Sequence, residues 1–152
     1  MATYSFAEVG GAISGPGGNV TIGAGSGAAE EGITIERTED ANTMTIGADG
    51  EVMHSQHAGN SGVVRVRLLK TSPTNAILMN MHNAQRLAAG SWGKNTISIR
   101  DHYRGDIVTC REVAFTGPPS VSWGKVGGMN EWTFHAGHVD SVLGGGEPAL
   151  TI

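Results

Sequence analysis

Alternation of apolar and polar residues with a period of two runs through most of this chain, and it restricts the fold more than any other feature. In a strand, successive side chains point to opposite faces, so a segment of this kind buries one side and wets the other. Gly62 to Leu69 sets Val64, Val66 and Leu68 against Arg65 and Arg67. Gly32 to Arg37 sets Ile33 and Ile35 against Thr34 and Glu36. Asn130 to Gly137 turns Trp132, Phe134 and Ala136 inward and Glu131, Thr133 and His135 outward. Thr96 to Arg100 turns Ile97 and Ile99 inward, and Ser120 to Lys125, after the break at Pro118-Pro119, does the same for Val121 and Trp123. Asp106 to Phe115 is long and alternates irregularly, which predicts a bulge. Thr43 to Gly47 places Met44 and Ile46 opposite Thr43 and Thr45. Asp49-Gly50 then supplies a tight turn, because both residue types tolerate positive φ, and Glu51 to His54 returns antiparallel. The 24 glycines follow no collagen-like period and read as turns between short strands.

One segment has a helical period instead. Ser72 is a good N-cap, Pro73 suits the first helical position and Gly90 suits the residue past the end, so the spacing predicts a helix over about 73–89. Ile77, Met81, Ala84 and Ala88 recur along it, flanked by Leu78 and Leu87, while Asn75, Asn83, Gln85 and Arg86 form a polar side. A narrow apolar stripe suits one helix lying on a sheet. The fold expected is mainly β, an antiparallel sandwich or barrel with one flanking α-helix.

With 152 residues the chain is long enough for one domain with a core. The balance of 39% hydrophobic to 16% charged residues is the reverse of what disorder needs. The single Cys110 excludes an intramolecular disulfide and suits a reducing compartment. No apolar run approaches the ~18 residues of a membrane span. The opening Met1-Ala2-Thr3-Tyr4-Ser5-Phe6 is not expected to be a signal peptide, because it lacks a basic start and an apolar stretch. The expected division is one domain over 1–143 and a flexible tail over 144–152, opened by Gly144-Gly145-Gly146-Glu147-Pro148.

Net charge is −4 and unevenly spread. Up to Gly62 the acids are Glu8, Glu30, Glu31, Glu36, Glu39, Asp40, Asp49 and Glu51, against Arg37 alone; the other basic residues begin at Arg65. An acidic chain without a Lys/Arg cluster is poorly made for gripping phosphates. The asymmetry would let copies of the chain meet acidic region to basic region.

Catalytic and metal-binding patterns are weak. His54 and His57, like His135 and His138, are three apart, but on a strand that spacing points two side chains to opposite faces. Gly59-Asn60-Ser61-Gly62 lacks the full pattern of a serine-nucleophile turn. Gly15-Pro16-Gly17-Gly18 and Gly23-Ala24-Gly25-Ser26-Gly27 lack the Lys-Ser/Thr ending of a phosphate loop and read as turns. Cys110 sits in an apolar strand without an activating partner, and Glu30-Glu31 diverge as neighbours in a strand. Ser91-Trp92-Gly93-Lys94 recurs as Ser122-Trp123-Gly124-Lys125, too local a match for a solenoid. Trp123 and Trp132 read as core residues. No cofactor, metal or catalytic residue is expected, and the residues alone indicate a binding or structural domain.

Three segments carry a more specific signal: Ala29-Glu30-Glu31-Gly32-Ile33-Thr34-Ile35-Glu36, Thr43 through Ser55, and Leu68-Leu69-Lys70-Thr71-Ser72-Pro73. Together with the opening Met1-Ala2-Thr3-Tyr4-Ser5-Phe6 and the closing Val139-Asp140-Ser141-Val142-Leu143-Gly144, they resemble the tail tube proteins of contractile-tailed bacteriophages, over Met1 to about Leu143. The resemblance implies a non-enzymatic virion protein, assembled in the host cytoplasm, with a β-sandwich or barrel and one flanking helix. It implies hexameric rings stacked into a hollow conduit for DNA ejection, with tail sheath, baseplate and tail terminator proteins as partners and passing DNA that is not specifically bound. A tube terminator or non-contractile tail component on the same fold is the alternative. From another class, a small β-sandwich hydrolase or carbohydrate-binding module would need an aromatic pocket that 5% aromatic content disfavours. The region around the Asp-Gly hairpin, with Asp40, Asn42, Met44, Asp49, Gly50, Glu51 and His54, is expected to make contacts between subunits or rings. Thr34, Glu36 and Thr38 share a polar strand face expected to line the lumen, which should be polar and acidic. The competing arrangement has Glu36 face outward or pair with Arg65 or Arg67 across the sheet.

Overall fold

The computed structural model describes residues 3–25 and 28–144. A 3-10 turn at Phe6–Glu8 leads into β1 (Val9–Gly15), β2 (Gly18–Gly23), β3 (Ala28–Arg37), β4 (Asn42–Ile46), β5 (Val52–Gln56) and β6 (Gly62–Leu69). Then come α1 (Thr74–Arg86), a 3-10 turn at Ala89–Ser91, β7 (Asn95–Asp101), β8 (Ile107–Phe115) and β9 (Met129–Val142). Seven strands form one sheet in the order β2-β1-β7-β8-β9-β6-β3, with β4 and β5 as a separate hairpin. Every pairing is antiparallel. The sheet curls until the edge strands β2 and β3 approach each other, and α1 packs on β2, giving a half-barrel with one flanking helix that fits the expected mainly β sandwich or barrel class.

The core lies inside the curl. Val64, Val66 and Leu68 of β6 stand opposite Phe134, Trp132 and Asn130 of β9, and the apolar members are fully buried. Ile13, Ile22, Ile97, Cys110 and Val113 continue this face across the other strands, and Leu78 and Met81 of α1 close it. Trp132, 1% exposed, satisfies its indole N–H on Asn75 Oδ1 at 2.9 Å and so ties the sheet to the helix. The irregular alternation of β8 is a bulge: Asn95 pairs with Val113 but Ile97 with Cys110, and Glu112 takes φ +54° in the extra residue.

The helix departs from expectation at its end and its face. It stops at Arg86 rather than near 89, because Leu87 closes the last turn with a short-range bond to Ala84 O and Ala88 is extended. Ser72 still caps the start, its hydroxyl accepting from the Thr74 N–H at 3.3 Å. The buried face is Thr74, Leu78, Met81, His82 and Gln85, rotated by one residue from the Ile77-to-Ala88 stripe; Leu87 is 87% exposed. The cause is a polar pair inside the core. Gln85 Nε2 donates to Asn95 Oδ1 (2.7 Å) and to Pro16 O (2.9 Å), and Asn95 Nδ2 donates back to Gln85 Oε1 (2.9 Å). Satisfied in this way, two amides are buried at low cost and register the helix on the β1–β2 turn. Gly15 is part of this arrangement, since a Cβ there would overlap the Asn95 side chain.

The expected strand at Ser120–Lys125 does not form, and Trp123 is not core. Residues 116–128 are a loop in which Trp123 is 82% exposed and Val121 is half-exposed. Pro118-Pro119 offer no N–H donors at its start, Gly124, Gly127 and Gly128 weaken its end, and β9 already has β8 and β6 on its two sides. The Gly15-to-Gly18 turn joins β1 to β2 as expected, with Gly17 at φ +96°. The Glu30-Glu31 side chains and the tail beyond Gly144 lie outside the described residues.

Two outcomes follow from this core. Gln85→Leu strands the Asn95 amide, and each orphaned group costs about 1–3 kcal/mol, so the urea midpoint should fall clearly while an exposed control such as Asn80→Leu leaves it nearly unchanged. Cys110 is buried, and desolvation, with the nearby Asp140 charge second, raises its pKa to about 11. Iodoacetamide at pH 8 should therefore label the thiol only after unfolding. Because folding holds the proton on, this group's stabilisation is complete below about pH 9 and is lost as pH rises towards 11.

Candidate functional site

The hairpin β4–β5 stands off the sheet as an arm. It continues the β3–β6 pair: the Thr38 N–H donates to Ser61 O at 3.2 Å and the His57 N–H to Ala41 O at 2.9 Å. Its register runs from Asn42 opposite Gln56 to Ile46 opposite Val52. Across the turn Gly47 N–H donates to Glu51 O (2.7 Å), Gly50 adopts φ +90°, and Asp49 Oδ1 accepts from the Glu51 N–H (3.1 Å). The Asp-Gly turn is therefore where the sequence put it. Directly opposed residues share a face, so Met44, Ile46, Val52 and His54 lie together, with Asn42 Nδ2 3.1 Å from His54 Nδ1. The arm has no buried residue, and Met44, Ile46, Val52 and Met53 are each 51–60% exposed. Asp40, Asn42, Met44, Asp49, Gly50, Glu51 and His54 thus occur together on this one exposed feature.

Thr34 and Glu36 lie on the face of the sheet away from the helix, with Thr34 half-buried and Glu36 exposed. Thr38 lies just past the end of β3, where its hydroxyl contacts Ser61. Glu36 is paired across the sheet: Arg65 Nη1 lies 3.2 Å from Glu36 Oε2, Arg65 Nε 3.7 Å from Glu131 Oε1, and Arg67 Nε 2.7 Å from Glu131 Oε2. Of the two arginines expected as possible partners of Glu36, Arg65 is the one in contact. Two carboxylates alternate with two guanidinium groups, and at this exposure each contact is worth little, about 0–1 kcal/mol. What the row does is hold both arginines against carboxylates rather than leaving them free for phosphate.

The histidine pairs do not converge. His54 meets Asn42, His57 Nε2 meets Thr43 Oγ1 at 2.6 Å, and His138 lies 3.5 Å from Glu112. Among the described residues no three His, Cys, Asp or Glu side chains are grouped to hold a metal. Gly59 to Gly62 is a structural turn: Asn60 O accepts from the Val139 N–H at 2.8 Å, and the Asn60 side chain contacts Arg37 and Asp140. No helix among the described residues is long and apolar enough to cross a membrane.

One feature was missed in the sequence. Lys70, just beyond β6, holds loop 116–128: its backbone N–H donates to Gly128 O (3.2 Å), its Nζ donates to Ser122 O, and Nζ lies 5.0 Å from the Trp123 ring centre. The Pro118-Pro119 break and the three following glycines were the available signal that Trp123 belonged to a loop.

Comparison with known proteins agrees with this architecture. Ten chains of known structure match, among them the cryo-EM structure of the anti-feeding prophage cap, a tube-terminating cap. It shares 12% identity over 94% of each chain with a TM-score of 0.52, a likeness of fold. No curated protein matches in sequence. The family model described as bacteriophage PhiTE tail tube protein matches residues 1–144 of the 152. The chain therefore belongs to that tail tube family and is a phage tail structural protein, a component of the virion.

Proposed function

We propose that this chain is the repeating, non-enzymatic subunit of the tail tube, assembling as hexameric rings that stack into the conduit for DNA ejection. The observation that carries this reading is the β4–β5 arm, apolar on an exposed face and, among the described residues, a two-stranded sheet with no third strand. A two-stranded hairpin is marginal alone, and exposed apolar patches of this kind mark contact surfaces. In the tube, Asp40, Asn42, Met44, Asp49, Gly50, Glu51 and His54 make contacts between copies. The outer sides of β2 and β3 have no strand partner among the described residues, and a ring of copies would cover such edges.

Thr34, Glu36 and Thr38 are proposed to face the bore, on the side of the sheet opposite the helix. The Glu36–Arg65–Glu131–Arg67 row makes this strip polar and charge-balanced, with its acidity offset by the arginines. A guanidinium already held by a carboxylate contributes little counterion release on meeting phosphate, which suits DNA that must pass without being held. Sheath, baseplate and terminator proteins are the expected partners, with assembly in the host cytoplasm. The likeness to a terminating cap favours one second reading, a terminator that stops at a single ring.

Negative-stain microscopy of the purified chain separates these readings. Tubes of uniform bore and indefinite length are expected. Single rings that never stack would support the terminator, and a chain that stays monomeric at high concentration would overturn both. Replacing residues 44–52 with a short Gly/Ser linker should leave a folded chain that no longer elongates; normal tubes from that variant would remove the arm from the assembly.

A further inference from the structure

Strand β6 has two unlike ends. Past Gly62 lies the arm, which carries Met44, Ile46 and Val52 on one face and Asp49 and Glu51 at its turn. Past Leu69 lies loop 116–128, because Leu69 pairs with Met129 at the start of β9 and Lys70 N–H bonds Gly128 O. Seven steps at ~3.3 Å per residue set the two ends ~23 Å apart, on opposite sides of the domain.

The loop end is also apolar and has the opposite charge. Trp123 is 82% exposed and Val126 83%, with Leu69 and Met129 about half-exposed where the strands end. The charged side chains of the loop and its anchor are Lys125 and Lys70. Trp123 is nevertheless not loose, since Lys70 holds both its ring and the preceding carbonyl. A fixed, exposed Trp at a desolvatable surface is the residue type that dominates protein contacts.

We infer that loop 116–128 of one copy, centred on Trp123, receives the β4–β5 arm of a second copy. The inference rests on the tube reading and adds the receiving surface to it. Apolar meets apolar, and Asp49 and Glu51 meet Lys125 and Lys70. The two surfaces differ and lie at opposite ends of one strand. The contact is therefore heterologous and leaves a free arm and a free loop after every addition, so it propagates instead of closing.

The test uses two variants of the full chain, prepared separately. Trp123→Ser with Lys125→Glu removes the receiving surface but keeps the arm; both side chains are exposed, so the melting temperature should stay at the wild-type value. The Gly/Ser replacement of residues 44–52 removes the arm but keeps the loop. Each variant alone should give rings that do not elongate, and an equal mixture should give stacks of two rings, because one arm-bearing face meets one intact loop face. Wild-type tubes together with normal elongation by the Trp123→Ser, Lys125→Glu variant would overturn the docking and leave the tube reading standing. A mixture that stays as single rings would also overturn it. A wild-type chain that never stacks would overturn the tube reading itself, and the docking with it.

Discussion

The pairing of β6 with β9 is the constraint on which the rest of the structure depends. Val64 faces Phe134 and Val66 faces Trp132 on the inner side, while Arg67 faces Glu131 on the outer side. A slip of β6 by one residue would turn its faces over, burying Arg65 and Arg67 and exposing Val64 and Val66. Burying unpaired charge costs several kcal/mol per group, on the order of a small domain's whole stability, so the register is held strongly. Gly62 marks its end: a Cβ there would come within 2.7 Å of Val139 Cγ2 and 2.8 Å of Glu36 O. From that point the chain leaves the sheet as the arm.

Legibility in the sequence followed the strength of the pattern. Where polar and apolar residues alternated strictly, as in β6 and the first half of β9, the inward residues could be read off directly. The helix was misread by one residue because its buried face contains His82 and Gln85. Gln85 is buried because Asn95, ten residues on, meets both the N–H and the carbonyl of its amide while Pro16 O takes a second N–H, partnerships that no local pattern encodes. His82 is covered by Phe115 and Trp92 in edge-on contacts, again from distant segments. Val121 and Trp123 failed for the opposite reason. They alternate like a strand, but every inner position beside β9 is already taken, so β propensity had nowhere to act.

The candidate site was half legible. The Asp49-Gly50 turn and the return strand could be read because turn chemistry is local, with Asp49 and Gly50 each doing what their types allow. That the arm would be exposed on both faces could not, because exposure is a statement about what the remaining strands leave uncovered. Glu36 shows the same limit. Its face was readable, but its partner was one of two arginines, and only the β3–β6 register, with Thr34 opposite Arg65, brings Arg65 within reach.

The charge asymmetry along the sequence takes on a spatial meaning in the fold. Arg65 and Arg67, two of the first bases after the acidic half, are absorbed by Glu36 and Glu131 on the sheet face. Arg111 is absorbed in the same way by Asp140, 3.1 Å away. The acids of the arm, Asp49 and Glu51, have no basic side chain within ion-pair distance among the described residues, and neither does Lys125 at the far end have an acid. Exposed charges of opposite sign left at opposite ends of a strand do little for one molecule, because water screens them within a Debye length of about 8–10 Å. They do more for two molecules, where they orient the approach of one end to the other and disfavour like ends meeting. An antiparallel strand pair gives a domain two ends, and unequal use of acid and base along the chain makes those ends different. That difference is the physical requirement for a subunit that stacks in one direction.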